Sequence, residues 1–213
     1  WSSCRFVARV DDRGRGSPTI FAPELSPRQS DQSDRVVRVF VLGIDPGLSR
    51  CGYCCLDTDG RTHRTVALGV LTTPPSAPVP ERLAELAGDI RALFDELRPQ
   101  AVAVERVLFQ VNVRTAISVG QASGLVLAEA AGRGCDVVEY SPNQVKGAVA
   151  GHGSADKDEV ATMVQWLLGL SKPPHPADAA DAAAIALCHV AIAGVGTTGR
   201  RASSSATSVR AGR

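Results

Sequence analysis

The sequence predicts an α/β fold built on a mixed five-stranded sheet, three antiparallel strands plus two parallel, with helices on both faces. Three β-rich segments joined by short turns fill residues 37–72, which is typical of an antiparallel meander. Beyond residue 80, helical periodicity alternates with two apolar strands at 101–105 and 135–140, as in parallel sheets whose strands are connected by helices. The predicted element order is therefore β-β-β-α-β-α-β-α-α-α.

The first three strands are predicted at about 37–45, 52–57 and 64–72. The first is the run VRVFVLGID, whose β-branched residues favour extended backbone. Pro and Gly in PGLSRCG (46–52) and Asp and Gly in DTDG (57–60) supply the two turns. A Pro-rich linker, TTPPSAPVP, follows the third strand and leads into the helical part of the chain.

The first helix is predicted for residues 80–99, because apolar side chains recur there at helical spacing and Pro99 stops the pattern. Its apolar face comprises Leu83, Leu86, Ile90, Leu93 and Leu97. The second helix, at about 112–131, ends at the GRG sequence of residues 132–134. A short third helix follows SPNQ at 141–144.

Two more helices complete the predicted domain. The segment SADKDEVATMVQWLLGL (154–170) begins with Ser154 as its expected N-cap and carries acids in its first turn. The last helix, at about 177–193, contains most of the Ala-rich stretch PADAADAAAIALCH (176–189). Because alanine side chains are small, we expect this helix to approach the sheet closely.

Composition and charge divide the chain into three parts. Residues 1–36 and 194–213 lack sustained periodicity, so we expect a disordered N-terminal extension and a disordered basic tail around a domain at 37–193. The formal net charge is +1, but residues 39–193 carry 12 basic and 17 acidic residues. Attraction to nucleic acid must then come from locally placed basic groups. No apolar run reaches about 18 residues, so no membrane contact is expected.

The cysteine cluster CGYCC at 51–55 admits two interpretations. It resembles part of a zinc site, yet no second CxxC or His pair of ligand spacing accompanies it. The segment also alternates like a strand, which points neighbouring thiols to opposite faces of the sheet. We therefore expect reduced thiols packed in the core, as in a cytosolic protein, and a cytoplasmic location.

Four acidic residues lie where apolar segments end or begin. Asp45 closes the first strand, Glu105 closes the fourth, and Asp178 and Asp181 lie three residues apart at the start of the last helix. A carboxylate at the end of a buried strand is costly to desolvate unless it binds a cation or hydrogen-bond donors. Converging carboxylates suit Mg²⁺, and two such ions about 4 Å apart can clamp a phosphodiester. The pattern predicts a metal-dependent nuclease.

Each acidic motif also has an ordinary structural interpretation. Asp45 could cap its turn, Glu105 could reach water from an edge strand, and acids at helix starts interact favourably with the helix dipole. LGIDPGLSRCG (42–52) also looks like the first phosphate loop of the actin, Hsp70 and sugar-kinase ATPases. Those proteins generally use two related domains, and this sequence has no second phosphate loop.

Basic and aromatic residues near the acids are candidates for nucleic-acid contacts. Lys146 and Lys157 are two of only three lysines in the chain, and Arg114 follows Glu105 by nine residues. Each of these cations has an ordinary alternative as a solvated surface charge. Phe109 lies among turn-like residues, either as a core plug or as a wedge that stacks on bases.

Together these motifs resemble the RuvC family of Holliday-junction resolvases, within the RNase H-like superfamily. The resemblance covers residues 39–190 and depends on four segments in order: LGIDPGLSRCG (42–52), ERVLFQVNVRTAISVGQASGLVLAEAA (105–131), EYSPNQVKGAVAGHGSADK (139–157) and PADAADAAAIALCH (176–189). It implies an RNase H-like sheet and a homodimer that nicks four-way DNA junctions symmetrically during recombination and repair. It also implies Mg²⁺, for which Mn²⁺ substitutes, at two ions per subunit, and a branch-migration helicase complex as a partner.

The resemblance assigns roles to particular residues. By position, the family's metal-binding acids correspond to Asp45, Glu105, Asp178 and Asp181. Its basic residues near the DNA backbone correspond to Lys146 and Lys157.

The wedge and the dimer face are less directly assigned. Many family members carry a base-stacking aromatic three residues after the catalytic Glu. Here that position is Leu108 and the aromatic is Phe109, so either residue is a candidate wedge, and Arg114 is a further candidate DNA contact. The candidate dimer face is the helix at 112–131, with its small residues Gly120, Ala122, Ser123, Gly124 and Ala128.

Two other functions fit the same residues. One is an RNase H-like nuclease that acts on another substrate, such as RNA–DNA hybrid. The other is a protein that binds junctions without cutting them. The intact set of four carboxylates argues against the second.

Overall fold

The computed structural model describes residues 38–107 and 113–194, without the side chains of residues 113–115. Its strands are β1 Val39–Asp45, β2 Arg50–Thr58, β3 His63–Thr72, β4 Ala101–Glu105 and β5 Asp136–Tyr140. Its helices are α1 Val79–Leu97, α2 Val113–Gly132, α3 Pro142–Ala150, α4 Lys157–Leu167 and α5 Ala177–Ala193. The element order is the predicted one.

Some predictions lie outside the described residues. These are the N-terminal extension at 1–36, all but the first residue of the tail at 194–213, and the candidate wedges Leu108 and Phe109. The side chain of Arg114 is also outside them. Within the described ranges, no helix is both long and apolar enough to span a bilayer.

The five strands form one sheet in the spatial order β3-β2-β1-β4-β5. β2 pairs antiparallel with β1 and with β3, whereas β4 pairs parallel with β1 and with β5. The predicted mixed sheet is therefore confirmed. Because β1 and β4 are parallel neighbours, their carboxyl ends lie side by side at one edge of the sheet, where open α/β sheets bind ligands.

Two hydrophobic cores lie on opposite faces of the sheet, as expected for helices on both sides. On one face, α1 and α2 pack against Leu42, Ile44 and Val102. On the other face, α3, α4 and α5 pack against Val41 and Ala103. Alternate residues of β1 thus enter different cores, which is the period of two that a strand imposes.

The cysteines of β2 follow the same alternation. Cys54 belongs to the core under α5, whereas Cys51 and Cys55 belong to the core under α1. All three are free and buried, and burial raises the pKa of Cys51 and Cys55 to about 12. Protonated thiols of this kind behave as small apolar side chains. The predicted placement of neighbouring thiols on opposite faces is confirmed.

The backbone of helix α5 packs directly against the backbone of the sheet. A Cβ added at Gly43 of β1 would overlap the Ala182 carbonyl oxygen and lie 2.6 Å from the Ala186 nitrogen. A Cβ added at Gly52 of β2 would overlap the Asp178 carbonyl oxygen. Alanines on the helix and glycines on the strands leave no side chain between the two backbones. The predicted close approach of this helix is confirmed.

The N-cap predicted for α4 is wrong. Asp156, rather than Ser154, caps this helix: its Oδ1 accepts a hydrogen bond from the Glu159 N–H at 2.8 Å, and Glu159 Oε2 accepts one from the Asp156 N–H at 2.9 Å. This reciprocal capping box satisfies two donors with anionic acceptors, which a single serine hydroxyl does not do. Ser154 Oγ instead lies 3.1 Å from His152 Nδ1.

Helix α2 presents only some of its small residues to solvent. Ala122 and Ser123 are 0% and 3% exposed, so they face the chain's own core and do not belong to an external face. Gly120, Gly124 and Ala128 are exposed, as the helical period requires of residues on the other side. The predicted dimer face is thus reduced to these three residues and their exposed neighbours.

Candidate active site

Asp45 and Glu105 reach one point because their strands are parallel neighbours. Ile44 of β1 pairs with Val104 of β4, and the next residue on each strand is the acid. Ile44 and Val104 are both fully buried, so the two carboxylates emerge where the apolar part of the sheet ends. Both acids are only half-buried themselves, which leaves them accessible to a substrate or an ion.

The first turns of α5 bring the other two acids to the same edge. Asp178 and Asp181 are both half-buried, and the close packing of α5 on β1 and β2 fixes the height of their helix above the sheet. Asp178 lies beside Gly52, near the start of β2. The expectation that a closely packed helix would carry this pair toward Asp45 and Glu105 agrees with the geometry.

A cleft of about 240 Å³ opens at this edge. It is lined by Asp45, Glu105, Pro142, Val145, Lys146, Lys157, Val160, Asp181, Ala184 and Ile185. Three of the four predicted acids and both predicted lysines therefore share one cleft. Asp178 is not among the lining residues and lies at the β2 side of the site, where Gly52 contacts it.

The pKa values of the strand acids record a local excess of negative charge. Burial raises the pKa of Asp45 to about 7, and the charges of Glu105, Asp181 and Asp178 add to the increase, while Lys157 opposes it. Burial likewise raises the pKa of Glu105, with a further contribution from Asp181. The other three carboxylates thus lie within electrostatic reach of Asp45. A bound cation would relieve the excess of negative charge.

Two basic side chains hold the helix acids. Lys157 Nζ lies 3.0 Å from Asp181 Oδ2, and this hydrogen bond raises the pKa of Lys157. Arg50 Nε and Nη2 lie 2.8 and 2.7 Å from Asp178 Oδ2. The first pair joins α4 to α5, and the second joins β2 to α5. Each helix acid is thus partly neutralised by the protein itself.

The donor set fits hard divalent cations. It consists of carboxylate oxygens, the ligands that Mg²⁺ prefers, and burial together with three neighbouring carboxylates raises the pKa of Asp45, an effect that a bound cation would oppose. Within the described residues, no three acidic, imidazole or thiol groups are arranged to bind one ion. The Oδ2 atoms of Asp178 and Asp181 are instead engaged by Arg50 and Lys157. Metal binding through either of these Oδ2 atoms would therefore compete with its basic partner.

Lys146 and Lys157 enter the cleft from neighbouring helices. α3 begins with a capping box in which Ser141 Oγ accepts from the Gln144 N–H and Gln144 Oε1 accepts from the Ser141 N–H, and Lys146 lies in the following turn. Lys157 is the first residue of α4, directly after the Asp156 cap. Two helix starts thus set the lysines at the cleft walls.

The sequence reasoning missed Arg50. It stood at the end of a turn sequence, where an arginine is usually a solvated surface charge. Its partner Asp178 is 128 residues away, so no local spacing connects them. One signal was available: Arg50 lies two residues before Gly52, and a glycine inside a strand often marks close approach by another backbone.

The turn after Asp45 is held by a buried arginine that the sequence reasoning also missed. Thr73 Oγ1 donates to the Leu48 carbonyl oxygen at 2.6 Å. Arg82, on α1, donates from Nε to Thr73 Oγ1 at 3.0 Å and from Nη2 to Ser49 Oγ at 2.5 Å. Arg82 is only 9% exposed. These bonds fix the backbone between Asp45 and the start of β2.

The chain is similar to known proteins over most of its described residues. It matches the family described as crossover junction endodeoxyribonuclease RuvC over residues 41–189. The RuvC of Chloroflexus aggregans is 49% identical over 148 residues, which cover 70% of this chain and 90% of that protein. The RuvC of Frankia alni is 50% identical over 151 residues, which cover 70% of this chain and 77% of that protein.

A solved structure gives the same result. T. thermophilus RuvC in complex with Holliday junction substrate is 41% identical, with a TM-score of 0.70, and the similarity covers 75% of this chain and 97% of that chain. The matched region runs from β1 into α5 and therefore includes the elements that build the acidic cleft. The chain belongs to the RuvC family of crossover junction endodeoxyribonucleases.

Proposed function

We propose that this protein is a structure-selective endonuclease that resolves four-way DNA junctions by symmetric, metal-dependent nicking during homologous recombination and repair. The observation that carries the proposal is the convergence of Asp45, Glu105 and Asp181 with two lysines in one cleft. Acids that repel one another beside basic residues are what a site for divalent cations and a phosphodiester needs. The similarity to T. thermophilus RuvC, solved with a Holliday junction substrate, supports a junction as the DNA.

The proposed cofactor is Mg²⁺, two ions per subunit, with Mn²⁺ as a substitute. When bound, these ions supply a lowered pKa for the attacking water and positive charge for the leaving 3′-oxygen. In this proposal Asp45 would help to hold both ions. Glu105 is assigned to one ion, and Asp178 and Asp181 to the other.

The chain's basic residues are proposed to hold the DNA backbone. Lys146 and Lys157 line the cleft together with the acids, so a phosphate bound there would lie near positive charge. Arg114 is a further proposed DNA contact, and Leu108 or Phe109 the proposed wedge at the junction. These last three assignments rest on the sequence argument alone.

Helix α2 is the proposed homodimer face. Ile117 is 56% exposed, and a Cβ added at Gly120 or Gly124 would meet no atom within 4 Å. An exposed apolar residue beside two open glycines allows a second helix to approach closely. A two-fold dimer suits a junction whose arms have approximate two-fold symmetry, because each subunit then faces one strand of like polarity.

Three further proposals concern the domain boundaries, the location and a partner. The nuclease domain spans residues 37–193 and works without the segments at 1–36 and 194–213. The protein acts in the cytoplasm, with a branch-migration helicase complex as partner. Trimming the chain to residues 37–193 should leave its circular dichroism spectrum, dimer mass and junction cleavage unchanged. Loss of any of them would reject the domain boundaries.

Cleavage of three matched substrates tests the proposed function. A four-way junction, an RNA–DNA hybrid and a linear duplex with the same labelled strand are incubated with the protein in Mg²⁺ and in a chelator. We expect paired nicks in two strands of like polarity in the junction, only with Mg²⁺. Preferred cleavage of the hybrid would instead support a nuclease for RNA–DNA hybrid. Junction binding without cleavage would support a binding protein.

A further inference from the structure

Arg50 occupies an unusual position for a basic residue at a site made of acids. It is the first residue of β2, and two of its guanidinium nitrogens lie 2.7 and 2.8 Å from the same oxygen, Oδ2 of Asp178. Asp178 is in turn one of the four acids proposed to hold a cation. The guanidinium of Arg50 therefore binds a carboxylate oxygen of a proposed metal ligand.

The backbones of both partners are fixed independently of this ion pair. On the Arg50 side, Thr73 N–H donates to the Ser49 carbonyl oxygen, and Arg82 binds the Ser49 hydroxyl. On the Asp178 side, the helix backbone contacts Gly52 directly. Because these contacts hold both backbones, we expect any exchange of partners at this pair to occur by side-chain rotation.

The pair is also accessible enough to exchange. The side chain of Arg50 is 48% exposed and that of Asp178 is 28% exposed. Exposed ion pairs contribute little to folding, because water solvates the separated charges well. The analogous pair of Lys157 and Asp181 is less informative, since Lys157 is also a proposed DNA contact.

We propose that Arg50 is the resident counterion of Asp178 and competes with a divalent cation for this carboxylate. The inference rests on the proposed function, which makes Asp178 a metal ligand. Loading of the site then exchanges one positive charge on Asp178 for another. Removing the Arg50 charge should tighten divalent-cation binding, which is the opposite of what loss of a ligand does.

Calorimetric titration of Mn²⁺ into the full-length, DNA-free protein tests the inference. We expect Arg50→Gln to lower the Kd about two- to fivefold, the range that release of an exposed ion pair allows. Arg50→Lys keeps the charge and should stay near wild type. Arg61→Gln is the matched control: Arg61 is exposed in the turn at the far end of β2, so its loss changes net charge without touching the acids.

Each outcome decides the matter. An unchanged or higher Kd for Arg50→Gln overturns the inference, and so does equal tightening by Arg50→Lys or by Arg61→Gln. Failure of Arg50→Gln to fold, judged by circular dichroism, overturns it as well, because the pair would then be structural. Asp178→Asn distinguishes failure of this inference from failure of the proposed function. If this variant binds Mn²⁺ like wild type, Asp178 is not a metal ligand and the proposed ligand set is wrong.

Discussion

The four acids form two pairs that reach one site by different routes. Asp45 and Glu105 end parallel strands, their backbones are fixed by sheet pairing, and burial raises the pKa of both. Asp178 and Asp181 share the first turns of α5, and each gives its Oδ2 to a basic side chain. The strand pair is therefore short of positive charge, whereas the helix pair already has it.

This difference separates two properties of a cation site. The strand pair sets where positive charge is favourable, because sheet pairing holds the backbones of the two acids side by side. The helix pair carries the basic side chains, Arg50 and Lys157, with which a cation must compete. Changes to the strand pair should therefore abolish function, and changes around the helix pair should tune it.

The substitution Asp45→Asn tests the difference between the strand acids and the helix acids most directly. We expect cleavage to fall more than about a hundredfold, beyond the loss seen when only the partner of a metal ligand is removed. Junction binding should remain, since phosphate contacts come from other residues. The measurement is single-turnover cleavage in Mg²⁺ beside a gel-shift titration. Asp95→Asn, an exposed acid on α1, is the control and should cut normally.

The pH dependence of stability should distinguish the pairs. A carboxyl whose pKa is raised in the folded state favours folding below its unfolded pKa near 3.8, and that contribution is lost as pH rises through about 7. In a chelator, the free energy of unfolding should thus fall between about pH 4 and pH 7, by up to about 4 kcal/mol in total. Urea titrations at several pH values measure it. Asp45→Asn should make the free energy of unfolding less dependent on pH. The same pH dependence in this variant and in wild type would show that Asp45 is not its source.

Gly52→Ala should displace the helix pair while leaving every acid intact. The added methyl group meets the Asp178 backbone, so we expect a loss of about 1–3 kcal/mol in the free energy of unfolding, together with slower cleavage. Gly88→Ala is the matched control: it lies in α1 with no atom within 4 Å and should stabilise the helix by about 0.5–1 kcal/mol. Equal effects of the two substitutions on cleavage would argue against a close-packed α5.

Lys146→Ala and Lys157→Ala should give the smallest effects. Each removes one proposed phosphate contact, so the slope of log K against log salt should become shallower by about 1. Lys172→Ala, the third lysine, is exposed and does not line the cleft, so its slope should equal that of wild type. Three parallel slopes would show that the cleft lysines do not contact phosphate.

The fold was predictable because its signals are local. Strand ends at Asp45 and Glu105 show in the sequence as apolar runs that stop at an acid, and the Ala-rich segment shows that α5 can lie close to the sheet. The α4 cap was not predictable with the same ease. The segment SADKDE offers two capping residues, and only the reciprocal bonds of Asp156 and Glu159 decide between them.

The ion pairs of the site depend on tertiary structure. Arg50 and Asp178 come together only because β2 lies under the first turn of α5, a contact between distant parts of the chain. The Arg82 bonds to Thr73 and Ser49 likewise join α1 to the two turns it covers. Such cross-links follow no sequence period, so pattern reasoning cannot find them.

The main-chain contact of α5 determines which parts of this domain an engineer can rewrite. Leucine-rich packing, as between α1 and the sheet, tolerates exchange of side chains of similar volume, because rotamers adjust. A backbone that rests on Gly43 and Gly52 has no rotamers to adjust. Thermal stability can therefore be raised by redesign on the α1 side of the sheet, while substitutions under α5 would shift the acids themselves.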